Sequence, residues 1–251
     1  MIGVRTDLPA YRAAVGQLAR SARLTDVPAG AVCAIGGEEG WRDRAAALLD
    51  AGALTLLVAD PVAPALADLD ELIGRGGSVT LERPRLRPAL AVRGDAADAA
   101  IITAQCSSAV VRSAELAQDL AGWLRLLTGT PIGIEAAAAA GGAVIASGRS
   151  LGGVPVSLTI TATTGDGAAI DALVIAERRI ELRVDDAAGT RSATRADDDG
   201  VTTLNLGYET EARAALRRAM AIAVGDDTSG DLEDLRHDVR IVESVRRISG
   251  T

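Results

Sequence analysis

The side chains that could carry out acid–base or nucleophilic chemistry are few in this sequence. All 26 basic residues are Arg, which excludes a lysine Schiff base and a lysine general base. His237 is the single imidazole, and Cys33 and Cys106 are the only thiols. One histidine would have to serve every Ser-His-Asp or Cys-His arrangement, and no spacing supports one. The residue types alone therefore predict no catalytic site.

These three residues also have ordinary structural interpretations. His237 is flanked by charge in EDLRHDVR, which favours a solvated side chain over a catalytic one. Each cysteine lies in an apolar run, where a thiol usually behaves as an inert small hydrophobe. Two distant cysteines also fit a reducing cytoplasm, which is where we expect the protein to act.

Glycine-rich and acidic clusters could hold phosphate or a metal ion, but their spacing favours turns. GGEEG (36–40) has two Glu that would repel an anion, and its spacing is not GxGxxG. The acidic clusters do not have the register of a calcium loop. We interpret Asp197 to Asp199 as a hairpin turn and expect Ser229 and Asp231 to cap the last helix. No metal site is predicted.

Composition limits the classes of partner. The chain has 251 residues, 48% of them apolar, and a formal charge of -8, so it can bury a substantial core and has no basic excess. The charge argues against binding to nucleic acid or to an anionic membrane. There is no charged N-terminus with an apolar h-region and no run of 18 apolar residues, so neither export nor a membrane span is expected.

The first part of the chain has the pattern of alternating strands and helices. Asp7 as an N-cap, Pro9 in the first turn and helical apolar spacing predict one helix over 7–24. Fully apolar runs that alternate with glycine-terminated helical segments then predict βα units with parallel strands. The predicted segments are strand 30–37, helix 38–52, strand 53–60, helix 65–77 and strand 78–82.

After an Arg- and Pro-rich crossing the pattern changes to that of an antiparallel sheet. A strand at 99–108 and a long helix to Gly129 are followed by short alternating segments separated by turn residues. Ser157, Thr159, Thr161 and Thr163 share one face of a strand at 154–163. Helices are predicted at 208–224 and 231–247. We therefore predict an α/β fold: a truncated Rossmann-like parallel part, then an antiparallel sheet covered on one face by helices.

The segment LLDAGALTLLVADPVAPALADLDEL and the long helix RSAELAQDLAGWLRLLTGTP carry a family pattern. Together they resemble the Gfo/Idh/MocA oxidoreductases, NAD(P)-dependent enzymes that act mainly on sugars and cyclitols. In that family a helix ends in an "AGK" turn and the next strand runs into "EKP". Here Ala53 stands at the first lysine, Ala59 at the Glu and Asp60 at the catalytic Lys, and only Pro61 is kept.

The long helix corresponds to the family pattern D-x-G-x-H-x-x-D-x-x-x-W-L-x-G. Asp119, Trp123 and Gly129 are retained. Arg112 falls at the catalytic Asp of the family, and Leu116 falls at its catalytic His. The last two predicted helices are also similar to those that end family members. The resemblance implies that all three former catalytic positions are substituted.

The resemblance also implies a missing cofactor site. The strand with a GxGxxG turn, and the acidic residue after the second strand, should precede GAVCAIGG, but the first thirty residues hold little more than one helix. We therefore expect a vestigial nucleotide-binding domain over 1–82 and an α+β substrate or dimerisation domain over 83–251, with no bound cofactor.

Two classes of function follow from this reading. The first is a catalytically degenerate homologue that serves as a non-redox partner or accessory subunit, assembling as a homo- or hetero-oligomer through the antiparallel sheet face; an active oxidoreductase paralogue is one candidate partner. The second is a cofactor-independent lyase or isomerase that acts on a sugar-like or cyclic metabolite with Asp60, Arg112, Glu115 and Asp119 in the old cleft. A residual NAD(P)-dependent dehydrogenase is a third reading, and its activity is not expected.

Overall fold

The computed structural model describes residues 1–62, 64–87, 99–109, 113–164, 167–204 and 209–250. The chain divides into two compact units. The first unit comprises Met1–Pro84 and Tyr208–Arg236, and the second comprises Arg85–Gly207 and His237–Thr251. This division differs from the predicted domains 1–82 and 83–251, because a C-terminal segment belongs to the first unit.

The described part of the first unit forms a parallel sheet of five strands, here called the first sheet, in the order β2-β1-β3-β4-β5. Its strands are β1 (Ile2–Thr6), β2 (Ala22–Leu24), β3 (Ala31–Gly36), β4 (Thr55–Ala59) and β5 (Val79–Glu82). The helices wholly within this unit are α1 (Pro9–Gln17), α2 (Trp41–Asp50), α3 (Leu66–Gly74) and α5 (Glu211–Ala223).

The beginning of the chain corrects the sequence prediction. The helix predicted over 7–24 is wrong in its second half, because α1 ends at Gln17 and the chain then forms β2. A strand, β1, also precedes the helix, and it pairs in parallel with both β2 and β3. The first thirty residues therefore contain a complete βαβ unit rather than little more than one helix.

The central strands of the first sheet are buried, as the continuous apolar runs predicted. Cys33 in β3 and Leu56, Leu57 and Val58 in β4 are fully buried. Strands of this kind have helices on both faces and therefore need apolar side chains on both. From the C-terminal segment, α5 adds Leu216 and other apolar side chains to the core around β1, β3 and α1.

The start of the last helix, α6 (Asp231–Ser249), is fixed by contacts to the first sheet. Asp231 accepts hydrogen bonds from Leu81 N (2.8 Å) and Thr80 Oγ1 (3.0 Å), and Arg218 Nη2 pairs with it at 2.7 Å. The Ser229 hydroxyl donates to Val79 O. The prediction that Ser229 and Asp231 serve to cap α6 therefore missed their main partners, which lie on β5 and α5.

The described part of the second unit forms a sheet of eight strands, the second sheet, in the order β13-β12-β11-β10-β6-β9-β8-β7. All its pairs are antiparallel except β6 with β9. The strands are β6 (Ile101–Ala109), β7 (Ile132–Ala140), β8 (Ala143–Ser150), β9 (Pro155–Thr163), β10 (Ala169–Ile175), β11 (Arg179–Asp185), β12 (Thr190–Asp197) and β13 (Gly200–Leu204).

One face of the second sheet is covered by α4 (Ser113–Thr128) and by the later turns of α6. Trp123 is fully buried there, and its indole N–H donates to Arg85 O at 2.8 Å. Asp238, also fully buried, accepts two hydrogen bonds from Arg125. The predicted hairpin turn at Asp197 to Asp199 joins β12 to β13. No helix among the described residues is long and apolar enough to cross a membrane.

Candidate functional site

The carboxyl edge of the first sheet is the place where its topology favours ligand binding. In open parallel sheets, ligands bind beyond the carboxyl ends of the strands, at the point where the strand order reverses. Here β2 lies on one side of β1 and β3 lies on the other, so the strand order reverses at β1. The turns after β1, β3, β4 and β5 therefore form the candidate site.

The turn between β1 and α1 contains no glycine, and one of its amides is hydrogen-bonded to a side chain of the same turn. The Thr6 hydroxyl accepts the Leu8 N–H at 3.2 Å, and Pro9 at the start of α1 has no N–H to offer. The Asp7 carboxylate is exposed at the same turn. A helix N-terminus binds anions through unpaired amides, and this turn provides few of them beside a negative charge.

A small groove of about 210 Å³ lies beside this turn. It is lined by Arg5, Asp7, Arg12, Thr25 and Asp26, among others. Asp26 follows β2, which is the position of the acidic residue that holds the ribose in dinucleotide-binding folds. Asp26 was not predicted as a site residue, because strands β1 and β2 were not predicted from the sequence. The groove carries both signs of charge and is not a simple anion site.

The glycine-rich turn between β3 and α2 packs tightly against the end of β4. Gly37 N donates to Ala59 O at 2.6 Å, and Val62 N donates to Gly37 O at 2.7 Å. A Cβ at Gly37 would lie 2.6 Å from both the Ala59 and the Asp60 carbonyl oxygens. Arg44 also pairs with Glu38 at 2.6 Å. The glycine at position 37 therefore permits the close approach of two backbone segments.

Asp60, the residue at the family's lysine position, directly follows β4. Its side chain is exposed, and its backbone N–H donates to Glu82 O at 2.7 Å. Its φ of +48° makes it the sole non-glycine residue with positive φ in the described part of the chain. Asp tolerates this left-handed conformation better than most residues do. The chain therefore places an exposed carboxylate on a constrained turn at this position.

Glu82, at the end of β5, was not singled out from the sequence. The buried Tyr11 hydroxyl donates to Glu82 Oε2 at 3.3 Å. Burial raises the pKa of Glu82 to about 7, and the charges of Glu211 and Asp60 add to this increase. A carboxyl group that titrates near neutrality at the edge of a parallel sheet is a candidate for proton transfer.

The remaining predicted site residues belong to the second unit. Leu116 is 2% exposed and packs in the core below the second sheet. Asp119 is 5% exposed and pairs with Arg85 at 3.2 Å, so its charge stabilises that arginine. Glu115 is half-buried. Arg112 lies outside the described residues, so the combination of these residues with Asp60 in one cleft stays a prediction.

The histidine and the cysteines have structural surroundings. His237 Nε2 accepts the Ile132 N–H at 3.1 Å, which corrects the expectation of a solvated side chain. Burial raises the pKa of Cys106 to about 12 and also raises the pKa of Cys33. Both thiols are therefore poor nucleophiles near neutral pH. The described residues include no cluster of His, Cys, Asp and Glu that could hold a metal ion.

Solved structures with a similar fold include two that are named as dehydrogenases. A UDP-N-acetylglucosamine 3-dehydrogenase from Acidithiobacillus ferrooxidans is 15% identical with a TM-score of 0.67, over 99% of this chain and 97% of that chain. Levoglucosan dehydrogenase, solved with NADH and levoglucosan, is 14% identical with a TM-score of 0.69 over the same shares. The chain has the Gfo/Idh/MocA-type oxidoreductase fold.

A third structure, an oxidoreductase domain protein from Kribbella flavida, is 17% identical with a TM-score of 0.67, over 99% of this chain and 88% of that chain. No family model and no curated protein matches the sequence. At these identities the likeness establishes the fold alone. The predicted fold class is thus confirmed, whereas the activity has to be argued from the site.

Levoglucosan dehydrogenase was solved with NADH, and the residues of the candidate site in this chain do not fit such a dinucleotide. Asp26 is suitably placed for a ribose, but the pyrophosphate of a dinucleotide needs the amides of the β1–α1 turn. Of these, the Leu8 amide is bonded to Thr6 and position 9 is a proline. No residue from Thr6 to Pro9 is a glycine, so the turn lacks the residue type that lets phosphates approach the backbone closely.

Proposed function

We propose that this chain is a catalytically degenerate homologue of Gfo/Idh/MocA-type oxidoreductases that acts as a non-redox partner or accessory subunit of an active enzyme. The observation that carries the proposal is the β1–α1 turn, which has no glycine and in which the Thr6 hydroxyl accepts the Leu8 N–H. Hydride transfer requires a bound nicotinamide, and the turn offers few unpaired amides to the pyrophosphate of that cofactor. We place this role in the cytoplasm, where the two free cysteines stay reduced.

The substituted catalytic positions support the same proposal. Oxidation of a hydroxyl also needs a group that removes its proton. The resemblance assigns that chemistry to a lysine and a histidine, whereas here Asp60 and the buried Leu116 stand at those positions. Because the chain contains no lysine at all, a shift in the alignment cannot restore the first of them.

Calorimetric titration with NADH and with NADPH tests the proposal directly. We expect no binding heat from either cofactor, while levoglucosan dehydrogenase titrated under the same conditions serves as the positive control. Micromolar binding of either cofactor would favour the residual dehydrogenase and would overturn the proposal.

The partner surface that we propose is the open face of the second sheet. Polar side chains on adjacent strands line a shallow groove of about 440 Å³ there, among them Thr103, Gln105, Ser157 and Thr159. An open polar sheet face of this kind suits contact with a second sheet, either in another copy of this chain or in an oxidoreductase paralogue.

Light scattering of the chain alone and mixed with a paralogue from the same genome tests this surface. We expect an assembly that Thr159→Arg disrupts, because a long charged side chain would separate the two faces. Thr228→Arg, at an exposed turn of the first unit, is the matched control and should leave the assembly intact. A strict monomer in both samples contradicts the proposed surface.

A cofactor-independent lyase or isomerase is the second candidate, and the exposed Asp60 favours it. A carboxylate at the carboxyl edge could remove a proton from a sugar-like or cyclic substrate. Proton NMR in D₂O would show exchange of substrate hydrogens in a panel of such compounds. Asp60→Asn keeps a residue that tolerates positive φ, and it should abolish any exchange that depends on this base.

A further inference from the structure

Two arginines and two aspartates line the groove beside the β1–α1 turn. They come from separate elements of the first unit: Arg5 from β1, Arg12 from α1, Asp7 from the turn after β1, and Asp26 from the segment after β2. Three of the four side chains are exposed, and Arg5 is half-buried. The formal charges of the four cancel, so the groove as a whole favours neither an anion nor a cation.

The four charged side chains do not neutralise one another by direct contact. Opposite charges that can reach each other on a protein surface commonly form ion pairs. Within the part of the chain that the structure describes, none of these four side chains takes part in one. The polar contact recorded for them is that of Arg12 Nη1 with Thr6 O, at 3.5 Å. Both signs of charge therefore remain available to a ligand in the groove.

Two threonine hydroxyls add neutral polar groups to the same lining. The Thr6 hydroxyl accepts the Leu8 N–H, and the Thr25 hydroxyl accepts the Val27 N–H, each at 3.2 Å. These bonds fix the two hydroxyl oxygens at the carboxyl ends of β1 and β2. A hydroxyl that accepts one hydrogen bond still has its own proton to donate, and a ligand carboxylate can accept it.

The size of the groove limits the ligand to a small molecule. Its volume of about 210 Å³ equals the share of about seven water molecules in the liquid, at ~30 Å³ each. Leu24, which is 43% exposed, adds apolar surface to the lining. A free amino acid has this size, and it combines two charged groups with a side chain.

The charge pattern selects among small ligands. A simple anion would be attracted by the arginines but repelled by Asp7 and Asp26, and a simple cation would meet the reverse. A molecule with one group of each sign satisfies both halves of the lining. We propose that the groove binds a zwitterion of the α-amino acid class, with its carboxylate on Arg5 and Arg12 and its ammonium group on the two aspartates. This site does not depend on the proposed accessory function.

Titration of the ¹⁵N-labelled protein with L-alanine, L-serine and L-glutamine at neutral pH tests the proposal by NMR. We expect shifts of the amides at 5–7 and 24–27, with a dissociation constant of about 1 mM for at least one probe, because few ligand atoms make contact. Propionate lacks the ammonium group and L-alaninamide lacks the carboxylate. Each should bind about tenfold more weakly than L-alanine, since it loses the charge-assisted hydrogen bonds of one end.

Substitution of exposed lining residues locates the site. Arg12→Gln and Asp26→Asn should each weaken amino acid binding about tenfold and leave the fold intact, because both side chains are exposed. Arg20→Gln, at an exposed arginine of the same unit outside the groove, is the matched control and should bind as the wild type does.

Three results would overturn the proposal. The first is that none of the three amino acids shifts these amides at concentrations up to about 20 mM. The second is that propionate binds as tightly as L-alanine, which would identify a simple anion site. The third is that adenosine monophosphate binds more tightly than every amino acid, which would identify a nucleotide site. None of these results decides whether the chain is an accessory subunit, which the NADH and light-scattering experiments test.

Discussion

At the carboxyl edge of the first sheet, the β1–α1 turn contains no glycine, whereas Gly36 ends β3 and Gly37 and Gly40 lie in the β3–α2 turn. The first turn has no glycine at which a phosphate could approach the backbone closely, and the Thr6 hydroxyl accepts the Leu8 N–H. In the second turn, Gly37 makes room for the backbone that follows β4. At this edge of the sheet, glycine therefore permits close packing of two backbone segments at the β3–α2 turn. It is absent from the β1–α1 turn, where a dinucleotide would bind.

The difference shows why glycine content alone does not identify a phosphate site. A glycine allows any group to approach the backbone closely, whether a ligand or another segment of the same chain. Here the Gly37 N–H bonds Ala59 O, so that amide is already used within the protein. An anion-binding loop requires amides that the fold leaves unpaired, and neither of these two bonded amides meets that condition.

Substitution of Gly37 is the strongest test of the comparison. In Gly37→Ala the new Cβ would meet the Ala59 and Asp60 carbonyl oxygens at 2.6 Å, and backbone atoms cannot move aside cheaply. We expect a loss of about 3 kcal/mol in the free energy of unfolding, measured by urea denaturation.

Gly36→Ala is the matched control for that measurement. Its Cβ would meet only the end of the flexible Glu38 side chain, which can swing away from Arg44. We expect a loss of about 1 kcal/mol or less, since an exposed ion pair contributes little. If the two alanine variants were equally stable, Gly37 would not be a packing requirement.

A smaller effect is expected at Asp60, whose left-handed backbone follows the segment that packs against Gly37. Asp60→Ala and Asp60→Gly both remove the carboxylate, so they differ mainly in the cost of positive φ. We expect the glycine variant to be more stable than the alanine variant by about 1–2 kcal/mol in urea denaturation. Equal stabilities would show that the fold does not impose a φ of +48° at this position.

The elements found correctly from the sequence are those with strong local signals. Strands β3 and β4 are continuous apolar runs, and glycine stops end α2 and α3, so these elements were predicted within a few residues. Strand β1 (IGVRT) is not a continuous apolar run and β2 has only three residues, so neither gives a clear local signal, and the helical spacing of α1 was therefore extended through β2.

The site residues that were missed depend on contacts between distant positions. Tyr11 and Glu82 are 71 residues apart, and neither has a local motif that indicates the other. Asp231 similarly bonds Thr80 across 151 residues. Only the pairing order of the strands brings β5, α1 and α5 together. The positions that the resemblance aligns with family catalytic residues lie, in contrast, within local sequence patterns, so they could be proposed from the sequence alone.

The smallest expected effect concerns the glycine-free turn itself. Thr6→Val removes the hydroxyl that accepts the Leu8 N–H, while it preserves the shape of the side chain. We expect a loss of about 1 kcal/mol or less in the free energy of unfolding, because the freed amide at this edge can bond to water. Thr6→Ser keeps the hydroxyl and should stay closer to the wild type.

The same variant also tests why the β1–α1 turn is unsuited to a pyrophosphate. The cause is either the Thr6–Leu8 hydrogen bond alone or also Pro9 and the charge of Asp7. If the Thr6–Leu8 bond alone blocked the turn, Thr6→Val would bind NADH measurably better than the wild type does. We expect no such gain, since Pro9 still has no N–H and Asp7 still places a negative charge beside the turn. Calorimetric detection of NADH binding by Thr6→Val would contradict this expectation. It would show that the Thr6 hydroxyl alone prevents the β1–α1 turn from binding the cofactor.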